Sequence, residues 1–159
     1  MVEIVRADYR NPKHAEAIVS LLKIYALDPM GGSSALSEPV AKALIDKLAA
    51  FPTAFSLLAL VDNQPAGLAN CFDGFSTFAA KPLINIHDIV VAPEFRGQGV
   101  AKALFAEIEV IAREKDACKL TLEVLEGNRP AQALYASLGF GDYVLDPEQG
   151  KALFWQKKF

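Results

Sequence analysis

Cysteine, histidine and tryptophan are scarce here: the 159 residues include two Cys, two His and one Trp. Cys71 and Cys118 stand far apart and in no CxxC spacing. That excludes a disulfide framework and a thiolate metal site, so no metal is expected and a reduced, cytoplasmic setting is. Each cysteine reads as a small buried apolar residue rather than a nucleophile. No apolar run reaches the roughly 18 residues of a membrane helix, and "MVEIVRADYR" lacks a signal-peptide pattern. A basic surplus is missing too: 16 Lys and Arg face 19 Asp and Glu, a net charge of −3. This argues against a nucleic-acid partner and tilts toward a small cationic one. There is no internal repeat, linker or low-complexity segment.

What is present suits one domain with a packed core, since 52% of residues are hydrophobic and 22% charged. Residues 3–8 read as a strand. Residues 11–28 read as a helix, with Asn11 as N-cap, Pro12 at the first helical position and an apolar stripe of Ala15, Ile18, Leu21, Leu22 and Tyr25. "PMGGSSALS" (29–37) is a loop, and a second amphipathic helix spans 37–51. "AFSLLALVDNQPAGLANCF" reads as two strands around a turn at Asp62–Pro65. "LINIHDIVVA" (83–92) is almost wholly apolar and predicts a central strand buried on both faces. A helix from about Gln98 to Lys115 turns Val100, Leu104, Ile108 and Ile111 inward. Residues 119–126 form a strand, and "NRPAQALYASLGF" a short helix closed by Gly139. "YVL" and "ALFWQKKF" read as two last strands. The order is β-α-α-β-β-β-α-β-α-β-β, one α/β domain with a mixed sheet over residues 1–159.

The stretch "VVAPEFRGQGVAKALF" runs from a buried strand through Arg96-Gly97-Gln98-Gly99 directly into a helix. The first amides of a helix lack partners and its dipole favours negative charge there. Glycine lets an anion reach the backbone, and Arg96 adds a planar fork of donors. The pattern is a phosphate or pyrophosphate cradle. A nucleotide P-loop would need Gly-Lys followed by Ser or Thr, which is absent, and a dinucleotide fingerprint would need Gly or Ala where Lys102 stands.

"RGQGVA" is similar to the Arg/Gln-x-x-Gly-x-Gly/Ala pattern of the Gcn5-related N-acetyltransferases, with Arg96, Gly99 and Ala101 in its fixed positions. "LEVLEGNRPAQALYASLGF" resembles that family's second motif through Asn128, Ala131, Leu134-Tyr135 and Gly139-Phe140. The resemblance implies a mostly antiparallel, twisted sheet flanked by helices, and transfer of an acetyl group from acetyl-CoA to an amine. It assigns the CoA pyrophosphate to the amides of Gly97, Gln98, Gly99, Val100, Ala101 and Lys102, with Arg96 nearby. Ile89, Val90 and Val91 would run along the pantetheine arm. Asn128 would meet the cofactor, and Tyr135 would protonate the departing thiolate. The loop over residues 29–37 would line the acceptor mouth, its Gly31-Gly32 pair supplying flexibility. A homodimer is implied, for which the C-terminal edge strands offer a pairing surface.

An alkyl amine with a pKa near 10.4 must lose its proton before attack, at a cost of roughly 4–5 kcal/mol at pH 7. A base, or a water leading to one, serves this step, and a strand amide near Val90 or Val91 would receive the carbonyl oxygen's growing charge. His87 and Asp88 are polar residues in an apolar strand and are the candidates for the base. The strand most resembles the spermidine/spermine acetyltransferase branch, in which a Glu-Asp pair occupies these positions; His87 replaces the Glu. Adjacent strand residues face opposite ways, so without a bulge only one of the two can look at the acceptor. Glu123 is a lesser candidate, and His14 reads as solvated. The rival reading from another class is a non-catalytic acyl-CoA sensor or interaction module, which would keep the cradle and lack proton-handling groups.

Overall fold

Asp62 and Asn63 both sit at positive φ, 50° and 63°, the backbone of a tight two-residue hairpin turn. The computed structural model describes all of residues 1–159, and this turn joins β2 (Ala54–Val61) to β3 (Gln64–Ser76). β1 (Val2–Arg6) pairs with β2, and β4 (Lys81–Val91) with β3, all antiparallel. β5 (Leu120–Leu122) pairs parallel to β4, completing a five-stranded sheet in chain order. Helices α1 (Pro12–Leu27), α2 (Glu38–Ala50) and α3 (Val100–Glu114) belong to the same compact unit, Met1–Glu123. No helix is long and apolar enough to cross a membrane.

The caps follow local chemistry. Asn11 Oδ1 accepts from Lys13 N at 3.0 Å, with Pro12 in the first turn of α1. Alternation along β3 assigns the faces. Leu68 packs with Leu58, Val90, Ile18, Leu21 and Leu48 under α1 and α2. Its neighbour Gly67 lies against α3 on the other face: a Cβ there would meet Val100 Cγ1 at 2.8 Å, the Val90 carbonyl at 3.1 Å and Leu104 Cδ1 at 3.2 Å. The missing side chain lets the start of α3 sit directly on the sheet. Gly67→Ala is therefore expected to destabilise the fold by about 1–3 kcal/mol. That lowers the melting temperature by roughly 3–10 °C, as thermal circular dichroism would show.

The cysteines part company. Cys71 is fully enclosed in β3, whereas Cys118, after α3, is exposed, against the expectation of two buried thiols. Burial pushes the Cys71 thiol up to about 12. Thiolate is the reactive form, so a folded sample titrated with a thiol reagent should show one accessible group. The second should appear only on unfolding.

The second compact unit, Val124–Phe159, contains α4 (Arg129–Ser137). The two C-terminal strands expected from the sequence are not formed. Between them lies a short 3-10 turn at Pro147–Gln149, capped by Asp146 accepting from Glu148 N at 3.0 Å. One backbone bond, Ala152 N to Tyr143 O at 3.0 Å, links the flanking segments. An apolar, aromatic composition has β-propensity, but a strand exists only with a ladder, and one bond does not make one.

Candidate active site

β4 carries the site because its register breaks at one point. Asn70 of β3 pairs with Asp88, but the next residue, Cys71, pairs with Ile86. His87 is the extra residue of a β-bulge. The alternation rule is suspended there, so both polar residues turn toward the α1 and α2 face. His87 stacks edge-on to Phe72 at 5.5 Å between ring centroids. Asp88 Oδ2 accepts from Asn70 Nδ2 at 3.0 Å. Its charge also reaches α1: burial, then Asp88 and Asp28, raise the Tyr25 hydroxyl above its ordinary range. The either-or choice between His87 and Asp88 does not apply in this fold.

The other edge of β4 changes at the same place. β5 pairs with β4 only at Ile84, Asn85 and Ile86, so β4 beyond His87 has an open edge. Ala92 N bonds to Ala66 O at 2.9 Å on the β3 side. Val90 and Asp88 share that parity, so the backbone groups of Ile89 and Val91 face the open edge. Asn85 Nδ2 donates to Thr121 Oγ1 at 3.1 Å, one rung before the last pair, Ile86 with Leu122.

The open edge leads into the glycine turn. Pro93–Phe95 forms one 3-10 turn, and Gln98 Nε2 donates to Glu94 O at 3.0 Å across it. Gly97 and Gly99 have φ of 77° and 82°, and a Cβ on either would meet nothing within 4 Å. The left-handed backbone is what calls for glycine here, and open space lies over both residues. α3 starts with no side-chain cap, and its own bonding begins with Ala103 N to Gly99 O at 3.0 Å. The amides of Val100, Ala101 and Lys102 thus lack intrahelical acceptors, an arrangement able to take an anion at the positive end of a helix. The Val100 side chain is buried and anchors the turn.

Arg96 braces the base of this loop. Its Nε donates to Val91 O at 3.3 Å and its Nη2 to Asp28 Oδ2 at 3.1 Å. Asp28 in turn accepts from Met30 N at 2.9 Å. That bond first, and Arg96 second, hold the Asp28 carboxyl below the usual range. Gly31 stands in the same segment, and a Cβ on it would meet the Tyr25 carbonyl oxygen at 1.9 Å. Close packing, not flexibility, is the reason for glycine at that position.

A cleft of about 600 Å³ opens beside the bulge, lined by His87, Asn85, Phe72, Phe51, Leu48 and Lys47 among others. Its size suits a small ligand. Glu123 is exposed just beyond β5, and His14 Nδ1 accepts from Asp8 N at 3.0 Å rather than only from water. In the second unit, Asn128 Oδ1 caps α4 by accepting from Ala131 N at 3.2 Å. Tyr135 lies two helical turns further on, its ring 6.2 Å from that of Phe140.

Sequence reasoning missed Ser56, Asn70, Tyr25 and Asp28. Ser56 and Asn70 carried the same signal that singled out His87 and Asp88, a lone polar residue within an apolar strand. Asp28 had no such signal, because its partner Arg96 lies far away in the chain.

The profile of the acetyltransferase (GNAT) family matches residues 19–140. The thialysine N-epsilon-acetyltransferase of Caenorhabditis elegans is 29% identical over 136 residues, which are 84% of this chain and 79% of that protein. A crystal structure described as a probable acetyltransferase superposes with a TM-score of 0.82 at 26% identity, covering 99% of both chains. An aminoglycoside N-acetyltransferase in complex with CoA shares the fold, with a TM-score of 0.76 at 20% identity over 100% of this chain and 96% of that one.

Proposed function

The chain belongs to the acetyltransferase (GNAT) family, and from that premise we propose that it transfers the acetyl group of acetyl-CoA directly to a primary amine of a small, cationic metabolite. The observation that carries the reading is one continuous surface. The open edge of β4 at Ile89 and Val91 runs through the glycine turn into the uncapped amides of α3. An edge of backbone donors and acceptors, with the Val91 carbonyl taken by Arg96 at its far end, suits an amide-bearing chain such as pantetheine. The helix start suits its pyrophosphate.

The acceptor would come from the α1 and α2 face, through the cleft at His87. Asp88 would hold the incoming ammonium, and His87, on the same face, would take the proton directly or through water. Deprotonation costs roughly 4–5 kcal/mol for an ordinary alkyl amine, so a carboxylate that orients the amine and an imidazole that accepts the proton divide the work. The amine nitrogen then attacks the thioester carbonyl. The C–N bond forms and the carbonyl oxygen takes the charge against the Ile89 or Val91 amide; collapse then breaks the C–S bond and expels the CoA thiolate, while the nitrogen releases its surplus proton to water. Tyr135, by its place in the second motif, is the proposed donor to that thiolate. Lys47 on the cleft wall offers a partner to an anionic group of the acceptor. The ε-amine of an amino acid, as in the name of the nematode relative, is one acceptor of this kind.

Calorimetry with acetyl-CoA, using NAD and ATP as controls, followed by thiol release over an amine panel, tests the reading. Micromolar CoA-selective binding and turnover that Tyr135→Phe abolishes are expected. Binding without turnover of any amine would leave an acyl-CoA sensor, and preference for ATP or NAD would overturn the reading altogether.

A further inference from the structure

Beneath the site, three strands and a loop share a line of buried polar groups. The Tyr9 hydroxyl lies 2.9 Å from Ser56 Oγ, Ser56 Oγ donates to Asn70 Oδ1 at 2.6 Å, and Asn70 Nδ2 donates to Asp88 Oδ2 at 3.0 Å. Ser56 and Asn70 are 0% and 3% exposed, so a bond left unmade there could not be replaced by one to solvent.

The direction of the line is dictated. Asp88 as a carboxylate only accepts, so Asn70 must present its NH₂ to it and its carbonyl oxygen to Ser56. Ser56 has one hydroxyl hydrogen and gives it to Asn70. Tyr9 must therefore donate to Ser56. Burial raises the Tyr9 hydroxyl above its ordinary range and keeps that proton in place. Every donor points toward Asp88, and such aligned bonds reinforce one another. An amide in the middle means that the line orients rather than relays protons.

We propose that Asn70, itself fixed by Ser56 and Tyr9, is the positioning residue for Asp88. It holds one carboxylate oxygen so that the other, Oδ1, faces the acceptor amine beside His87. This rests on the acetyl-transfer reading above. The bulge leaves Asp88 as the last paired residue beside the break. Pairing with Asn70 sets the face of its side chain, and the bond from the Asn70 amide sets the rotation of the carboxylate on that face. Asp88 Oδ2 is taken up by Asn70, which leaves Oδ1 as the oxygen for the acceptor amine.

The test is steady-state kinetics on folded variants with an amine that the wild type acetylates. Asn70→Leu, of nearly the same shape, removes both bonds of the amide. Its kcat is expected to fall about 10- to 100-fold, the scale for loss of an orienting partner, with KM for acetyl-CoA unchanged. Ser56→Ala removes the neutral bonds to Asn70 and from Tyr9 and is expected to lower kcat roughly fivefold, and Ser56→Thr, which restores a hydroxyl, to recover it. In an Asp88→Asn background, Asn70→Leu is expected to add almost nothing. A lower melting temperature with wild-type kcat in Asn70→Leu would make the line a matter of core packing and overturn the proposal. So would a Ser56→Thr that behaves like Ser56→Ala. Should Asn70→Leu not fold, the Ser56 pair decides. Failure of the wild type to acetylate any amine is a different result, and it overturns the acetyl-transfer reading together with this one.

Discussion

Asp88→Asn is expected to lower kcat/KM for the amine by about 10²- to 10³-fold. At about 1.36 kcal/mol per factor of ten, that is a loss of roughly 3–4 kcal/mol of transition-state stabilisation. The substitution is chosen because it spares the fold. The new amide can present its oxygen to Asn70 Nδ2, which donates at 3.0 Å in the native protein, so no buried donor is stranded. Only the charge goes, and with it the partner of the ammonium. A charge-assisted hydrogen bond is worth about 1.5–3 kcal/mol, and the remainder comes from misorientation of the amine toward His87. Binding of acetyl-CoA, measured by calorimetry, should be unchanged, because Asp88 turns its side chain to the α1 and α2 face and not to the open edge. Wild-type kcat/KM in this variant would move the whole task to His87.

Gly99→Asp should weaken CoA binding by about 100-fold while leaving the protein folded. Gly99 has φ of 82° and open space where a Cβ would go. Asp is among the residues that tolerate a left-handed backbone best, so the conformational cost is about 1 kcal/mol. The damage to binding is electrostatic. A carboxylate at this turn competes for the uncapped amides of Val100, Ala101 and Lys102. It also repels a pyrophosphate placed there: two unit charges at about 4 Å cost roughly 4 kcal/mol at an effective dielectric of 20. Partial screening brings this to the roughly 2.7 kcal/mol of a hundredfold change. Calorimetry with CoA, alongside a melting curve, checks both halves. Unchanged affinity would mean that the pyrophosphate is held elsewhere.

The glycine turn and the uncapped helix start behind it were legible in the sequence for a physical reason. A left-handed turn demands glycine, a helix start demands uncommitted amides, and both are properties of a few consecutive residues. The caps at Asn11 and Asn128 and the inner stripe of α3 were legible in the same way. The C-terminal strands were not, because composition shows that a segment can extend and not that it finds a ladder. Gly31 was misjudged, since the contact that requires it, with the Tyr25 carbonyl, is made by the way the chain folds back on itself.

By itself, then, the sequence determined the glycine turn, the helix start behind it and the caps, since period, turn and cap are local. The tertiary structure decided which polar residues stand together. In a sheet, one residue of register moves a side chain to the opposite face. Only the pairing of β3 with β4 shows that a bulge at His87 brings His87 and Asp88 to one face. Only the alignment of β2, β3 and β4 shows that Ser56, Asn70 and Asp88 stand in line. Those contacts join residues far apart in the chain, and no local rule contains them.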